Sequence, residues 1–137
     1  MNEEPSVCIL GGSGFVGTQL CLRLLKRGAQ VKLLTRAARR CAHLATLEGV
    51  QIKSITDYSY ACLKQELQDC DVLINLIGIL NEKGNDGAQF HAVHVGITRD
   101  ALTACQDAGV KRFLHMSALN ADRHGPSHYL RSKGEAE

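Results

Sequence analysis

Apolar and polar positions follow two rhythms along this chain. Ser6 to Leu10 is a short apolar run that stops at glycines, as a strand buried on both faces does. Thr18 to Arg27 places Leu20, Leu24 and Leu25 at helical spacing, carries Lys26 and Arg27 in its last turn, and is followed by Gly28 just past the helix end. Gln30 to Thr35, with Val31, Leu33 and Leu34, reads as a second strand, and Ala37 to Leu47 as a helix ended by Gly49. Val50 to Ile55 alternates apolar and polar residues, the mark of a third strand. Cys62 to Leu67 predicts a short helix, Val72 to Ile77 a central strand, and Gly78 to Gly87 a polar loop. Phe90 to Ala108 predicts a long helix closed by Gly109, and Arg112 to Ser117 a fifth strand. Ala118 to Pro126 is a loop, and Ser127 caps a last helix running to Glu137.

Strands alternating with helices predict an α/β domain of three layers, with helices on both faces of a doubly wound parallel sheet and right-handed crossovers. The 137 residues fit a single domain, residues 1–137. Full doubly wound dinucleotide folds carry a sixth strand. The expectation is therefore an N-terminal portion of a longer protein, lacking the last strands and the substrate region.

Composition narrows the class. A hydrophobic fraction of 45% supports one core. A formal charge of +2 is too small to argue for nucleic acid, and aromatics at 4% leave no surface for stacking bases. Cys8, Cys21, Cys41, Cys62, Cys70 and Cys105 form no C-x-x-C pair and fall mostly in apolar runs, as reduced thiols do. No metal site is expected: His91 and His94 have H-x-x-H spacing but lack further ligands, and read as helix-surface or core histidines. Met1 to Ser6 lacks the basic stretch of a leader, and no run approaches the roughly 20 apolar residues of a membrane span. A cytoplasmic protein is expected, with attachment to the periphery of an inner-membrane complex left open.

The chemistry begins at Gly11-Gly12-Ser13-Gly14-Phe15-Val16-Gly17. Gly11, Gly14 and Gly17 recur every third residue, and Gly12, Gly14 and Gly17 also satisfy G-x-G-x-x-G. A strand ends directly before the turn and a helix starts within it, the context in which such glycines hold a pyrophosphate. Gly11 permits the tight turn, Gly14 lets backbone approach the phosphates, and Gly17 lets the helix pack on the strand. The helix N-terminus offers free N–H groups and partial positive charge. This is the Rossmann-type arrangement. At the end of the second strand, where an acidic residue would bond the ribose of NAD, the chain has Thr35 and Arg36, with Arg39 and Arg40 behind. A guanidinium binds a 2′-phosphate bidentately, so NADP(H) is preferred, with NAD(H) the second choice. Asp57 is placed to reach the adenine, and the Leu76-Ile77-Gly78 backbone to line the cofactor. Asp57 as a turn residue and Asn75 as a buried, satisfied amide are the plainer readings.

Tyr129 and Lys133 are four apart on the last helix and share a face, while Ser117 ends the fifth strand. All three point to one crevice. An ammonium beside a phenol favours phenolate, and a serine hydroxyl holds a carbonyl or alcohol oxygen, so hydride transfer could be coupled to proton transfer there.

This ordered set resembles the short-chain dehydrogenase/reductase superfamily, extended or atypical branch, from Val7 to Lys133. Phe113-Leu114-His115-Met116-Ser117-Ala118-Leu119-Asn120-Ala121, followed by Tyr129-Leu130-Arg131-Ser132-Lys133, resembles a narrower group. That group is similar to an accessory subunit of respiratory complex I, and its bacterial members are described as nucleoside-diphosphate-sugar epimerase-like. The resemblance implies NAD(P) on Gly11, Gly14 and Gly17, and a catalytic set of Ser117, Tyr129 and Lys133. It implies substrate pockets drawn largely from a C-terminal region, and mitochondrial members that bind a nucleotide while serving a structural role in the respiratory complex. Many extended members have an Asn in the helix before the fifth strand, where this sequence reads His94-Val95-Gly96. Three functions stay open: an oxidoreductase or epimerase/dehydratase-like enzyme with an unknown small-molecule substrate, a nucleotide-binding accessory or assembly protein associated with a respiratory complex, and a sensor of the NADPH/NADP ratio. A homodimer stays open beside them.

Overall fold

The computed structural model describes residues 3–137. Met1 and Asn2, where the segment read above as lacking a leader begins, lie outside them. Five strands, β1 (Ser6–Leu10), β2 (Gln30–Thr35), β3 (Val50–Ser54), β4 (Val72–Asn75) and β5 (Arg112–His115), form one sheet in the order β3-β2-β1-β4-β5. Every pairing is parallel, with Leu10 opposite Leu34 on one side and Asn75 on the other. The order reverses between β1 and β4. In such sheets a ligand sits outside the carboxyl ends of the strands at that reversal.

The alternation along β1 divides the core. Cys8 and Leu10 face one layer with Leu73, Leu63, Leu67, Ala101 and Cys105. Val7 and Ile9 face the other with Val31, Leu33, Cys21, Cys41 and Leu44. The first layer is covered by α2 (Tyr60–Glu66) and α4 (Ile97–Ala108), the second by α1 (Phe15–Lys26) and the segment Ala38–Leu44. Burying both faces of β1 and β4 explains why those runs are almost unbroken by polar residues. Five of the six cysteines are buried within these layers.

Two segments differ from the pattern in their sequence. The helix predicted over 37–47 is a 3₁₀ segment, Ala38–Leu44. Its buried residues are Cys41 and Leu44, three apart, and a repeat of three is what the tighter helix presents on one side. The single helix predicted over 90–108 begins at α3 (Ala88–His91), widens into a π-helical turn (Ala92–Gly96), and continues as α4. Gly109, with φ +77, ends it. The final helix, α5 (His128–Ala136), is capped by Ser127, whose Oγ accepts from the Leu130 N–H at 3.1 Å.

Candidate functional site

The turn between β1 and α1 is built from backbone. Gly11 takes φ +78, and a Cβ there would stand 3.1 Å from the Ile77 nitrogen, so the turn lies directly against the chain leaving β4. A Cβ on Gly17 would fall 2.5 Å from the Gly12 Cα, which holds the first turn of α1 onto the turn before it. Gly14 differs from both: the nearest atom to a Cβ there is the Gly11 oxygen, at 4.0 Å. The first intrahelical bond runs from Thr18 N to the Gly14 carbonyl at 3.0 Å. Gly14 supplies no side-chain cap, and the first turn of α1 carries no acidic residue. Gly14, Phe15 and Val16 are exposed at the start of the helix, ahead of the first intrahelical bond, with the positive end of the helix behind them. A diphosphate fits that place: the helix start has no side-chain cap, the space is clear, and no carboxylate opposes it. Ser13 is half-buried in the same turn, whereas the Phe15 and Val16 side chains are exposed around it.

At the end of β2, Thr35 is buried and its Oγ1 accepts from the Ala37 N–H at 2.9 Å, which turns the chain outward. Arg36 is exposed, with its guanidinium 5.3 Å from the centre of the Tyr58 ring. Arg40 is exposed on the 3₁₀ segment. Asp57 is exposed and its Oδ1 accepts from the Ser59 N–H at 2.9 Å; the Ser59 hydroxyl first, and then this amide, hold its carboxyl below the usual range. The turn reading of Asp57 is thus the arrangement present.

The second half of the site is made by side chains at the ends of β4, β5 and α5. Lys133 is buried and donates from Nζ to the Met116 carbonyl at 2.8 Å, next to Ser117. Burial lowers its pKa, and the Glu137 carboxylate opposes that shift. The Ser117 hydroxyl donates to Glu137 Oε1 at 2.5 Å. Tyr129, one turn before Lys133, sets its ring edge-on to His94 at 5.5 Å and to Phe90 at 5.9 Å. The helix bearing Tyr129 and Lys133 thus meets the chain just past β5, at Met116. Its serine partner is hydrogen-bonded to Glu137. Leu76 and Ile77 are half-buried, and Gly78 is exposed beside Lys133.

His94, read from its spacing as a helix-surface or core histidine, is a core residue here, joined by Ser132 and Gly134, which no sequence motif marks. His94, 1% exposed, accepts from the Ile79 N–H at Nε2 (3.0 Å) and bonds Ser132 Oγ at Nδ1 (2.8 Å). Gly134 has no room for a side chain, since a Cβ there would strike the backbone of Asp122 and Arg123. Helical spacing from Tyr129 marks Ser132 as a near neighbour in α5, and nothing in the sequence marks its partner. Beneath them Asn75, also 1% exposed, donates to Thr98 Oγ1 and to His115 Nδ1, both at 3.3 Å, and accepts from Ile77 N–H at 3.1 Å. It is a buried, satisfied amide. Because His115 accepts at Nδ1, its proton lies on Nε2, which has no partner among the described residues.

Fold and glycine turn together define a Rossmann-type nucleotide-binding domain of the short-chain dehydrogenase/reductase type. Residues 7–128 match the NAD dependent epimerase/dehydratase family, and the chain belongs to that family. It is 30% identical over 109 residues to a 4-hydroxy-2-methyl-3-oxo-4-farnesyl-3,4-dihydroquinoline-1-oxide ketoreductase of Stigmatella aurantiaca, a match covering 80% of this chain and 32% of that one. It is 32% identical over 133 residues to mitochondrial NADH dehydrogenase [ubiquinone] 1 alpha subcomplex subunit 9 of Mus musculus, covering 94% of this chain and 35% of that one. A UDP-glucuronic acid 4-epimerase from Bacillus cereus, solved in complex with NAD, superposes with TM-score 0.78 at 22% identity over 96% of this chain and 50% of the epimerase. The chain spans only 32% to 58% of the length of such curated relatives. Among the described residues no helix is long and apolar enough to cross a membrane.

Proposed function

We propose that the β1–α1 turn holds the diphosphate of NADP(H) in preference to NAD(H), in an oxidoreductase or epimerase/dehydratase-like protein of the short-chain type. The observation that carries this reading is the clear space at Gly14, at the start of α1, whose N-terminus has neither a side-chain cap nor an acidic residue in its first turn. The NADP(H) preference rests on Arg36, Arg39 and Arg40, and on the lack of a carboxylate from Thr35 to Leu47. Asp57 and the Leu76-Ile77-Gly78 backbone complete the dinucleotide's surroundings at the ends of β3 and β4.

A bound nicotinamide supplies a hydride to a carbonyl carbon, or takes one from an alcohol. Tyr129 gives the oxygen its proton in the first direction and takes it back in the second. Lys133 stabilises the charged phenolic oxygen from the same helix face and offers its ammonium to ribose hydroxyls. Ser117 orients the substrate oxygen once its hydroxyl turns from Glu137. A melting curve with NADPH, NADH or neither tests the cofactor reading. A ligand at 100 times its Kd adds about 2.7 kcal/mol of stability, and no shift with either dinucleotide would overturn the reading. Undiminished carbonyl turnover in Tyr129→Phe would remove the proton-transfer role.

The likeness to the mouse NADH dehydrogenase subunit favours a second reading, an accessory or assembly protein whose dinucleotide is structural and which attaches to a respiratory complex. Leu114, Met116 and Leu119, exposed at the outer end of β5, agree with burial against further protein. A dinucleotide that copurifies and does not exchange would favour it over turnover.

A further inference from the structure

The histidine at the π-turn is polar, buried and satisfied in a directed way. Since Nε2 accepts from the Ile79 N–H, the ring proton of neutral His94 lies on Nδ1 and is donated to Ser132 Oγ. The Ser132 hydroxyl then donates its own proton to the Tyr129 carbonyl at 2.9 Å. Three bonds therefore run in one direction from the loop after β4, through the π-turn, into the first turn of α5. The π-turn places the ring: such bulges displace the helical register and leave carbonyls without their usual partners. The His94 carbonyl accepts from Thr98 Oγ1 at 2.6 Å. Phe90 stacks on the ring at 5.6 Å and Tyr129 meets it edge-on. A Cβ on Gly78 would stand 3.6 Å from His94 Nε2 and 3.9 Å from Lys133 Nζ, so both side chains abut one point of the backbone.

We propose that His94 is a positioning residue: acting through Ser132, it fixes α5 against the Gly78–Ile79 backbone and so places Tyr129 and Lys133 beside the nicotinamide half of a bound dinucleotide. The inference rests on the dinucleotide reading above. Packing alone does not require this residue, since a phenylalanine would fill the space without two polar atoms that must be paired when buried. Burial, and then the Lys133 ammonium, push the His94 pKa down to about 4, which keeps the ring neutral with a single proton at physiological pH.

The test uses calorimetric titration of the full chain with NADPH and, separately, with adenosine 2′,5′-bisphosphate, which carries only the adenine half. His94→Phe keeps the ring and loses both bonds, Ser132→Ala cuts the second link, and His94→Gln retains one acceptor and one donor. His94→Phe and Ser132→Ala are each expected to raise the NADPH Kd about fivefold to tenfold and to leave the bisphosphate Kd unchanged. The double variant should be no weaker than either single one, and His94→Gln should recover most of the loss. Equal weakening of both ligands, additive losses, or no recovery by glutamine would overturn the proposal. Amide exchange on the ligand-free protein supplies a readout without cofactor: Ser132→Ala should speed exchange at Ile79, and unchanged protection there would also overturn it. A wild-type chain that binds neither ligand removes the dinucleotide reading and the nicotinamide-half assignment with it. The Ile79 result then decides separately whether the relay exists.

Discussion

The two ends of the dinucleotide crevice are made of different material. At the β1–α1 turn the groups facing the crevice are main-chain amides, and the side chains that matter are absent ones: Gly11, Gly14 and Gly17 are set by where a Cβ would land. At the β4–β5–α5 corner the groups are side chains joined across long stretches of sequence, with Ile79 and His94 15 apart and His94 and Ser132 38 apart. A backbone site is rigid as long as its strand and helix stand. A side-chain site needs every hydrogen-bond partner in place as well. The first end should therefore fail through steric insertion, and the second through pH and through the loss of single polar atoms.

The largest contrast lies within the glycine turn. Gly17→Ala drives a Cβ against the Gly12 backbone, which has no flexible atom to give way. It should cost about 3 kcal/mol, roughly 10 °C in Tm, and abolish dinucleotide binding. Gly14→Ala meets nothing closer than 4.0 Å and should leave stability within about 0.5 kcal/mol. It should nevertheless weaken NADPH at least tenfold, because the methyl group stands where phosphate would approach. Thermal melts and titrations on the two variants separate a packing glycine from a binding one. An equal loss of stability in both would end that distinction.

The corner should be sensitive to acid. The folded pKa of His94 is about 4, below its ordinary 6.5, so the unfolded chain binds the proton more tightly between those values. The stability this contributes is complete above about pH 6.5 and is lost as pH falls towards 4. Linkage makes the loss about 3 kcal/mol for that group. His115, pushed down by burial and by Lys133, adds in the same direction, while Glu137 opposes it. Denaturant unfolding at pH 4.5 and pH 7 should therefore differ by a few kcal/mol, and His94→Gln should flatten the difference. An unaltered pH dependence in that variant would show that His94 is not the titrating group.

The contrast also explains what the sequence reveals. β1, β2 and the glycine turn follow from local pattern, since an apolar run, a glycine spacing and a helical repeat are all short-range signals. Gly28 and Gly109 take positive φ where the pattern places helix ends. The interruption at Ala92–Gly96 has no such signal: His94, Val95 and Thr98 continue a buried helical face across it. Ser132 and His94 look like ordinary residues until the fold sets them 2.8 Å apart. The exposure of Leu114 on β5 and of Met116 just beyond it belongs to the same class. The segment 112–117 reads only as a strand, and the strand formed there is covered on the side of Phe113 and His115 while Arg112 and Leu114 stay exposed.

The proposed NADP(H) preference lies between these extremes, because Arg36 is a side chain on a backbone-defined strand end. Arg36→Asp should reverse the NADPH/NADH affinity ratio by on the order of tenfold to a hundredfold, since one charge-assisted bond contributes about 1.5–3 kcal/mol and the new carboxylate repels a 2′-phosphate. An unchanged ratio would assign Arg36 to the solvent.

Tyr58 provides the smallest and most discriminating effect. Its ring lies 5.3 Å below the Arg36 guanidinium, and the stacking restricts an otherwise free, exposed side chain. At an exposed site such a contact contributes about 0.5–1 kcal/mol, so Tyr58→Leu should weaken NADPH by about twofold to fivefold. NADH, which lacks the 2′-phosphate, should bind as before. In the Arg36→Ala background the same substitution should change neither affinity, because no guanidinium is left to orient. If Tyr58→Leu weakened both dinucleotides equally, the ring would be supporting the adenine or the β3 end of the sheet. The 2′-phosphate selectivity would then rest on the arginines without a platform.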